Sequence, residues 1–310
     1  MAMHVEWPER KAFAFTIFDD TDHATIKNVR PVYQFLGDLG FRTTKSVWPI
    51  KGAREPLIGG DTCENSEYLQ WVLDLQAGGF EIGLHNVTYH TSTRDDTIRG
   101  VERFREVFGH DAKVMANHAG CDEAIYWGPQ RLSGMTRLIY LLLTGFRNLN
   151  TFRGHVKDDE LFWGDICQSR IKYVRNFVFG DLNTLRACAQ MPYHDPERPF
   201  VQYWFASSEG RTVGAFVETC SGREMDRLEE QRGACIMYTH LAKGFCKDGR
   251  LHSEFRQVME RLSKKNGWFV PAGEMLDFIL EARGPHVLTN QERRALEWNW
   301  LMHKLRVGHS

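Results

Sequence analysis

The chain predicts an α/β protein, a closed or nearly closed barrel of seven or eight strand–helix steps. Three observations carry this. Strand-like and helix-like segments alternate along the sequence, the signature of a parallel β/α fold. No repeat, low-complexity tract or Pro/Gly-rich linker divides the 310 residues. The residues richest in chemistry come directly after apolar, strand-like runs, where a β/α barrel opens its mouth. One domain over 1–310 is therefore expected, with a C-terminal helical extension from about 286 to 310.

The elements follow in order. Lys11 to Phe18 (KAFAFTIF) reads as the first strand. Val29, Val32, Leu36 and Leu39 have helical spacing, Gly40 is a stop, and Pro31 suggests a start near it. Phe41 to Val47 is the second strand, and Leu69, Val72, Leu73 and Gln76 mark a helix closed by Gly78 and Gly79. Phe80 to Leu84 (FEIGL) is a short strand. Thr93 and Asp96 form a capping box for a helix carrying Ile98, Val101, Phe104 and Phe108, with Gly109 as its stop. Further strands are expected at Lys113 to Ala116, Ile171 to Phe179, Phe200 to Phe205, Thr212 to Val217, Ala234 to Thr239 and Trp268 to Val270.

Composition narrows the function classes. Hydrophobic residues make up 42% and charged residues 25%, ordinary for a globular chain. A formal net charge of -1 offers no basic surplus for nucleic acid. Seven scattered cysteines without CxxC spacing argue against a disulfide framework or a thiolate zinc cluster, and for a reducing, cytoplasmic setting. No signal-peptide core is visible at the N-terminus. The most apolar run, Leu138 to Leu143 (LIYLLL), is far shorter than the roughly 20 residues that span a bilayer. It reads as a buried helix, with a lipid-touching interfacial segment as the alternative.

Three polar clusters carry the chemistry. Asp19 and Asp20 leave the first strand together, so one can ligate a cation while the other takes a proton. Asp20, Thr21 and Asp22 equally suit a helix N-terminus. His85 and His90 share the loop GLHNVTYHT after FEIGL and can converge on a metal, although a single histidine there is more often a surface residue. His240 ends the strand CIMYTH, either as a hydrogen-bonded core residue or as a proton donor to a leaving group. Trp127 and Trp163 offer faces for a sugar ring, against the plainer reading of half-buried tryptophans.

Together these clusters resemble the polysaccharide deacetylase family. TIFDDT stands where the family has TFDDG, HNVTYH loosely matches an H-S/T-x-x-H loop, and YTHL matches the closing strand motif. The resemblance spans roughly Phe13 to Leu241 and implies a distorted (β/α) barrel with one divalent metal, usually zinc. It implies Asp19 as general base, Asp20, His85 and His90 as metal ligands, and His240 as general acid. Leu241 would line the acyl pocket, and Asn117 and His118 (MANHAG) stand in the third motif's place without its base-orienting arginine. The extra residue between the two histidines makes His118 or His23 substitutes for His90, and Asp165 with Trp163 is a remnant of the fourth motif. The implied activity is hydrolysis of an N-acyl, most simply N-acetyl, group from an amino sugar or saccharide intermediate. Another metal-dependent barrel enzyme (an amidohydrolase or a sugar isomerase) and a non-catalytic carbohydrate binder are the alternatives. The C-terminal helix, with Leu296, Trp300 and Leu301 to bury, can pack on the barrel or on a second subunit, so a homo-oligomer is among the admissible partners.

Overall fold

In the computed structural model, which describes residues 5–56 and 58–307, the alternation of strands and helices closes on itself. The strands are β1 (Phe13–Asp19), β2 (Thr44–Val47), β3 (Glu81–Leu84), β4 (Val114–Met115), β5 (Tyr173–Phe179), β6 (Tyr203–Glu209) and β7 (Ala234–Thr239). They pair in that order, all parallel, and β7 returns to β1. The ring is a closed seven-stranded barrel with helices around it. β1 is buried along its whole length, as a parallel strand covered on both faces must be. Its apolar run FAFTIF is the sequence of such a strand.

The ring is uneven. The seam between β1 and β7 is continuous from Ala14↔Ala234 to Asp19↔Thr239. Between β3 and β4 the register holds only at Leu84↔Met115. The register of β5 against β6 shifts between Arg175 and Val178, a bulge that re-aims side chains at a barrel rim. A short strand at Gly267–Trp268 lies beside the start of β1, while β2 pairs with its end.

Local signals explain most helix boundaries. Thr25 forms a capping box with Asn28, so the first helix begins at Ile26 and Pro31 lies inside it rather than at its start. Asn65 caps Ser66–Ala77 through the amides of Glu67 and Tyr68. Thr93 and Asp96 cap Arg94–Phe108 as the sequence predicts, and Gly109 ends it at φ 79°, a conformation open to glycine without strain.

Two expectations are corrected. Thr212 to Val217 is not a strand. Val213–Thr219 is a helix, because Thr212 accepts a hydrogen bond from the Ala215 amide as an N-cap and outweighs the β-branched composition. The LIYLLL run is helical, within Gly134–Leu143, but not buried: Leu138, Leu142 and Leu143 are exposed.

The C-terminal helix Asn290–Val307 packs on Gly134–Leu143 and β5, burying Leu296, Trp300 and Leu301. A buried ionic clasp fixes it. Asp195 pairs with Arg198 and accepts from Arg293 Nε at 2.9 Å. Glu297 accepts from the Ser133 amide at 2.9 Å and from Thr136 Oγ1 at 2.5 Å, and lies 3.4 Å from Arg198 Nη2. All seven cysteines are free and buried. No described helix is long and apolar enough to cross a membrane.

Candidate metal centre

The chain leaving β1 presents three carboxylates in four residues, and the fold gives each a different setting. Asp19 is fully buried beneath the mouth. Its Oδ2 accepts from Tyr33 Oη at 2.9 Å and lies 3.1 Å from Lys45 Nζ, and its Oδ1 accepts from the Leu241 amide at 2.7 Å. Asp20 extends the β1–β7 ladder, its amide donating to Thr239 O. Its carboxylate receives a two-pronged clamp from Arg175, at 2.8 Å on Oδ1 and 2.5 Å on Oδ2. Burial pushes the Asp20 pKa up, but Arg175, then His85 and His240, outweigh it, and the carboxyl stays below its ordinary range.

Asp22 is the hub. Its Oδ1 lies 3.2 Å from His85 Nε2 and 3.2 Å from His118 Nδ1, and those two nitrogens are 3.1 Å apart. Its Oδ2 lies 3.1 Å from His240 Nε2 and 3.4 Å from Lys243 Nζ. Burial alone would raise its pKa, but hydrogen bonds to His118, His240 and His85 hold the carboxylate far below its ordinary value.

Asp22, His85 and His118 are buried and offer one ligand atom each to a common point. Their ligand atoms form a nearly equilateral triangle. Bonds of about 2.0 Å to a tetrahedral ion place ligand atoms about 3.3 Å apart, so the triangle has the size of one tetrahedral face. One carboxylate and two imidazoles are the mixed set of a catalytic zinc site, which keeps its remaining position for water. The residues present therefore fit a divalent ion.

The supporting contacts favour that use. His85 Nδ1 faces the Ala116 carbonyl at 3.1 Å and donates to it, leaving Nε2 with its lone pair toward the triangle. Trp48 Nε1 donates to His85 O at 2.8 Å. Asn86 accepts from the His118 amide at 2.9 Å and donates to Glu123 at 2.8 Å, tying the loop after β3 to the loop after β4. His23 (φ 59°) and Asn86 (φ 51°) both take the left-handed conformation, so the chain turns sharply after each of two candidate ligands, Asp22 and His85. Beside the triangle lies a cavity of about 80 Å³ whose walls include Asp20, Arg175, His240, Trp127, Arg131 and Trp300. Arg131 is sandwiched there, 3.8 Å over Trp127 and 4.8 Å over Trp300.

The geometry gathers a candidate set that differs from the one the resemblance implies: Asp22 takes the place of Asp20, His85 is common to both, and His118, named on the sequence as a substitute, takes the place of His90. His90 sits outside, its Nε2 accepting from the Arg54 amide at 2.7 Å and its Nδ1 facing Thr91 O. His23 is exposed, with its amide on Gly59 O. Asn117 borders the cavity but spends both ends of its amide on Ile125. Trp127 lines the cavity. Trp163 does not: it is buried with Nε1 donating to Glu123 O. Leu241 is buried and meets the site only through its amide on Asp19. Asp165 is a surface partner of Arg94.

Sequence reasoning missed Asp22 and Arg175. Both left a signal. TIFDDTD carries a third acid two residues past the pair, and YVRNFVF carries a lone arginine inside an apolar strand. A charge there must meet a counter-charge. Arg175, on β5, clamps Asp20 and not Asp19.

No protein-family model matches the chain, and no curated protein matches it. Among solved structures, a chain from Mycobacterium smegmatis described as a polysaccharide deacetylase is 12% identical, with 93% of this chain and 97% of that one covered, at a TM-score of 0.49. The PuuE allantoinase is 10% identical over 91% and 94%, at 0.49. A chain from Pseudomonas aeruginosa described as a polysaccharide deacetylase is 10% identical over 91% and 95%, at 0.48. Likenesses this distant assign no activity.

Proposed function

We propose that this protein is a metal-dependent amide hydrolase that removes a small acyl group from an amino sugar or a sugar-containing intermediate. The observation that carries the reading is the tetrahedral-face triangle of Asp22, His85 and His118 with an arginine-clamped carboxylate beside it. A bound divalent ion, zinc by its donor set, would acidify its water to a pKa of about 7 and polarise the amide carbonyl.

The chain's own groups divide the proton work. Asp20, oriented by Arg175 and 3.9 Å from His85 Nε2, takes the proton from the attacking water. His240 stands on the other side of Asp22. Its Nδ1 faces Arg211 O at 3.2 Å and its Nε2 faces Asp22 at 3.1 Å, so both ring nitrogens meet acceptors. A proton on Nε2 can pass to the departing amine. Water's oxygen bonds to the acyl carbon, the C–N bond breaks, and carboxylate and amine leave. In this reading Asp20 takes the base role, and Asp19 anchors β1 to β7 and Lys45.

The test is release of acetate or formate from N-acyl amino sugars by zinc-loaded protein. Asp20→Asn should keep the metal and lower kcat/KM about 10²- to 10⁴-fold. Unchanged turnover in that variant would remove Asp20 from the chemistry. An isomerised sugar with no carboxylate released would favour an isomerase instead.

A further inference from the structure

Helix Gly134–Leu143 turns much of its apolar surface outward. Met135 is 61% and Leu142 60% exposed, Leu138 and Leu143 are exposed with them, and Phe146 and Leu149 extend the surface into the following turn. The outer side of the C-terminal helix adds Trp298, Met302 and Leu305. Met135 and Trp298 line one groove of about 500 Å³, so the two stretches meet there. An exposed apolar patch of this extent marks a contact surface.

Charge identifies what the face meets. Between Ala124 and Lys157 there is no aspartate or glutamate, while Arg137 lies within the helix and Arg147 in the turn that follows it. On the C-terminal helix after Glu292 the only acid is Glu297, which is buried in the clasp. Arg294 and Arg306 stand exposed at the two ends of the apolar stripe. Bulky apolar side chains rimmed by cations are the pattern of helices lying in the headgroup layer of an anionic bilayer. A second copy docked through the same face would bring those cations against each other, because a two-fold interface pairs a patch with itself.

We propose that helix Gly134–Leu143, the turn through Leu149 and the outer face of the C-terminal helix dock the protein on an anionic lipid surface without crossing it. Arg131, three residues before that helix, and Trp300, on the buried side of the C-terminal helix, both line the cavity wall. Docking would therefore hold the mouth beside the headgroup layer, where a lipid-carried amino sugar presents its amide. That substrate consequence rests on the hydrolase reading; the docking itself does not.

Flotation of the full chain with vesicles tests it. Binding is expected to vesicles of equal parts phosphatidylcholine and phosphatidylglycerol, and to weaken with salt and on phosphatidylcholine alone. Replacing the exposed side chains (Leu138→Gln, Leu142→Gln and Phe146→Ser together) should reduce partitioning about tenfold or more, with the circular dichroism spectrum unchanged. Arg147→Glu with Arg306→Glu should abolish the preference for anionic vesicles, which keeps the test sharp if the apolar variant misfolds. Asp22→Asn should float like the native chain, so loss of the metal chemistry and loss of docking read differently. The proposal is overturned if the native chain fails to float with anionic vesicles or if the apolar variant floats equally well. A native dimer that the apolar variant converts to monomer, with no flotation, would assign the face to a second copy and overturn it too.

Discussion

The buried charge cluster at the mouth and the one in the C-terminal clasp differ in a way that shows what makes the first a candidate site. In the clasp, Asp195 and Glu297 meet Arg198 and Arg293, with Ser133 and Thr136 completing the donors. Acids face permanent cations and hydroxyls, and nothing is missing. At the mouth, one carboxylate oxygen of Asp22 faces two imidazole nitrogens that also face each other at 3.1 Å. Imidazole can give a lone pair as readily as a proton, so this arrangement has room for a cation that the clasp does not. Burial of charge is common to both. The donor chemistry separates them.

Substitutions can break or sharpen that contrast. The largest effect is expected from Asp22→Ala. Elemental analysis should find the divalent ion gone, and kcat/KM should fall about a thousandfold or more. Retention of stoichiometric metal would refute the triangle. Asp195→Ala should do the reverse. Leaving Arg198 and Arg293 without their shared carboxylate should cost about 3–5 kcal/mol in urea unfolding while metal content stays unchanged. If metal is lost in step, the two clusters are coupled and the contrast fails.

Glu123 tests the middle ground, a buried acid behind the mouth that is bonded to Asn86 and Ser92. Burial pushes its pKa up to about 7, more than those hydrogen bonds pull it down. The folded state then holds a proton that the unfolded chain releases near 4.5, so stability declines as pH rises from about 4.5 to about 7 and levels above it. The decline attributable to this group is about 3 kcal/mol at most. Glu123→Gln should flatten it in urea midpoints measured across that range, and an unchanged slope would place the titration elsewhere. The smallest effect belongs to the surface pair Arg94–Asp165, 35% and 51% exposed. Solvent screens it, and Asp165→Ala should change stability by about 1 kcal/mol or less and leave turnover alone. A large loss of turnover would restore Asp165 to the site.

The barrel was legible because its rule is local. Apolar runs such as FAFTIF and ACIMYT, short and rich in β-branched and aromatic residues, read as covered strands, and Thr93 with Asp96 signals a helix start by itself. The site was legible by region but not by atom. Strand ends showed where the polar residues gather. Which of Asp19, Asp20 and Asp22 faces inward depends on how β1 leaves the ring, and that is set by neighbours far along the chain. Arg175 selects Asp20 from 155 residues away, and Lys45 with the Leu241 amide occupies Asp19. His118 rather than His90 joins the candidate triangle, and the bond from the His118 amide to Asn86, at a left-handed turn, ties the β4 loop to the mouth. The strand misread at Thr212 to Val217 shows the converse, composition losing to a single cap.

The bond from the Leu241 amide to Asp19 joins residues 222 apart in sequence. A chain emerging from synthesis would carry Asp22, His85 and His118 well before the stave that shuts the ring exists. Drawing together ends so widely spaced costs conformational entropy that nearby contacts cannot repay in advance. The candidate site is thus among the last features a maturing molecule can complete, and a product cut short of β7 would own Asp22, His85 and His118 while lacking the wall that carries His240.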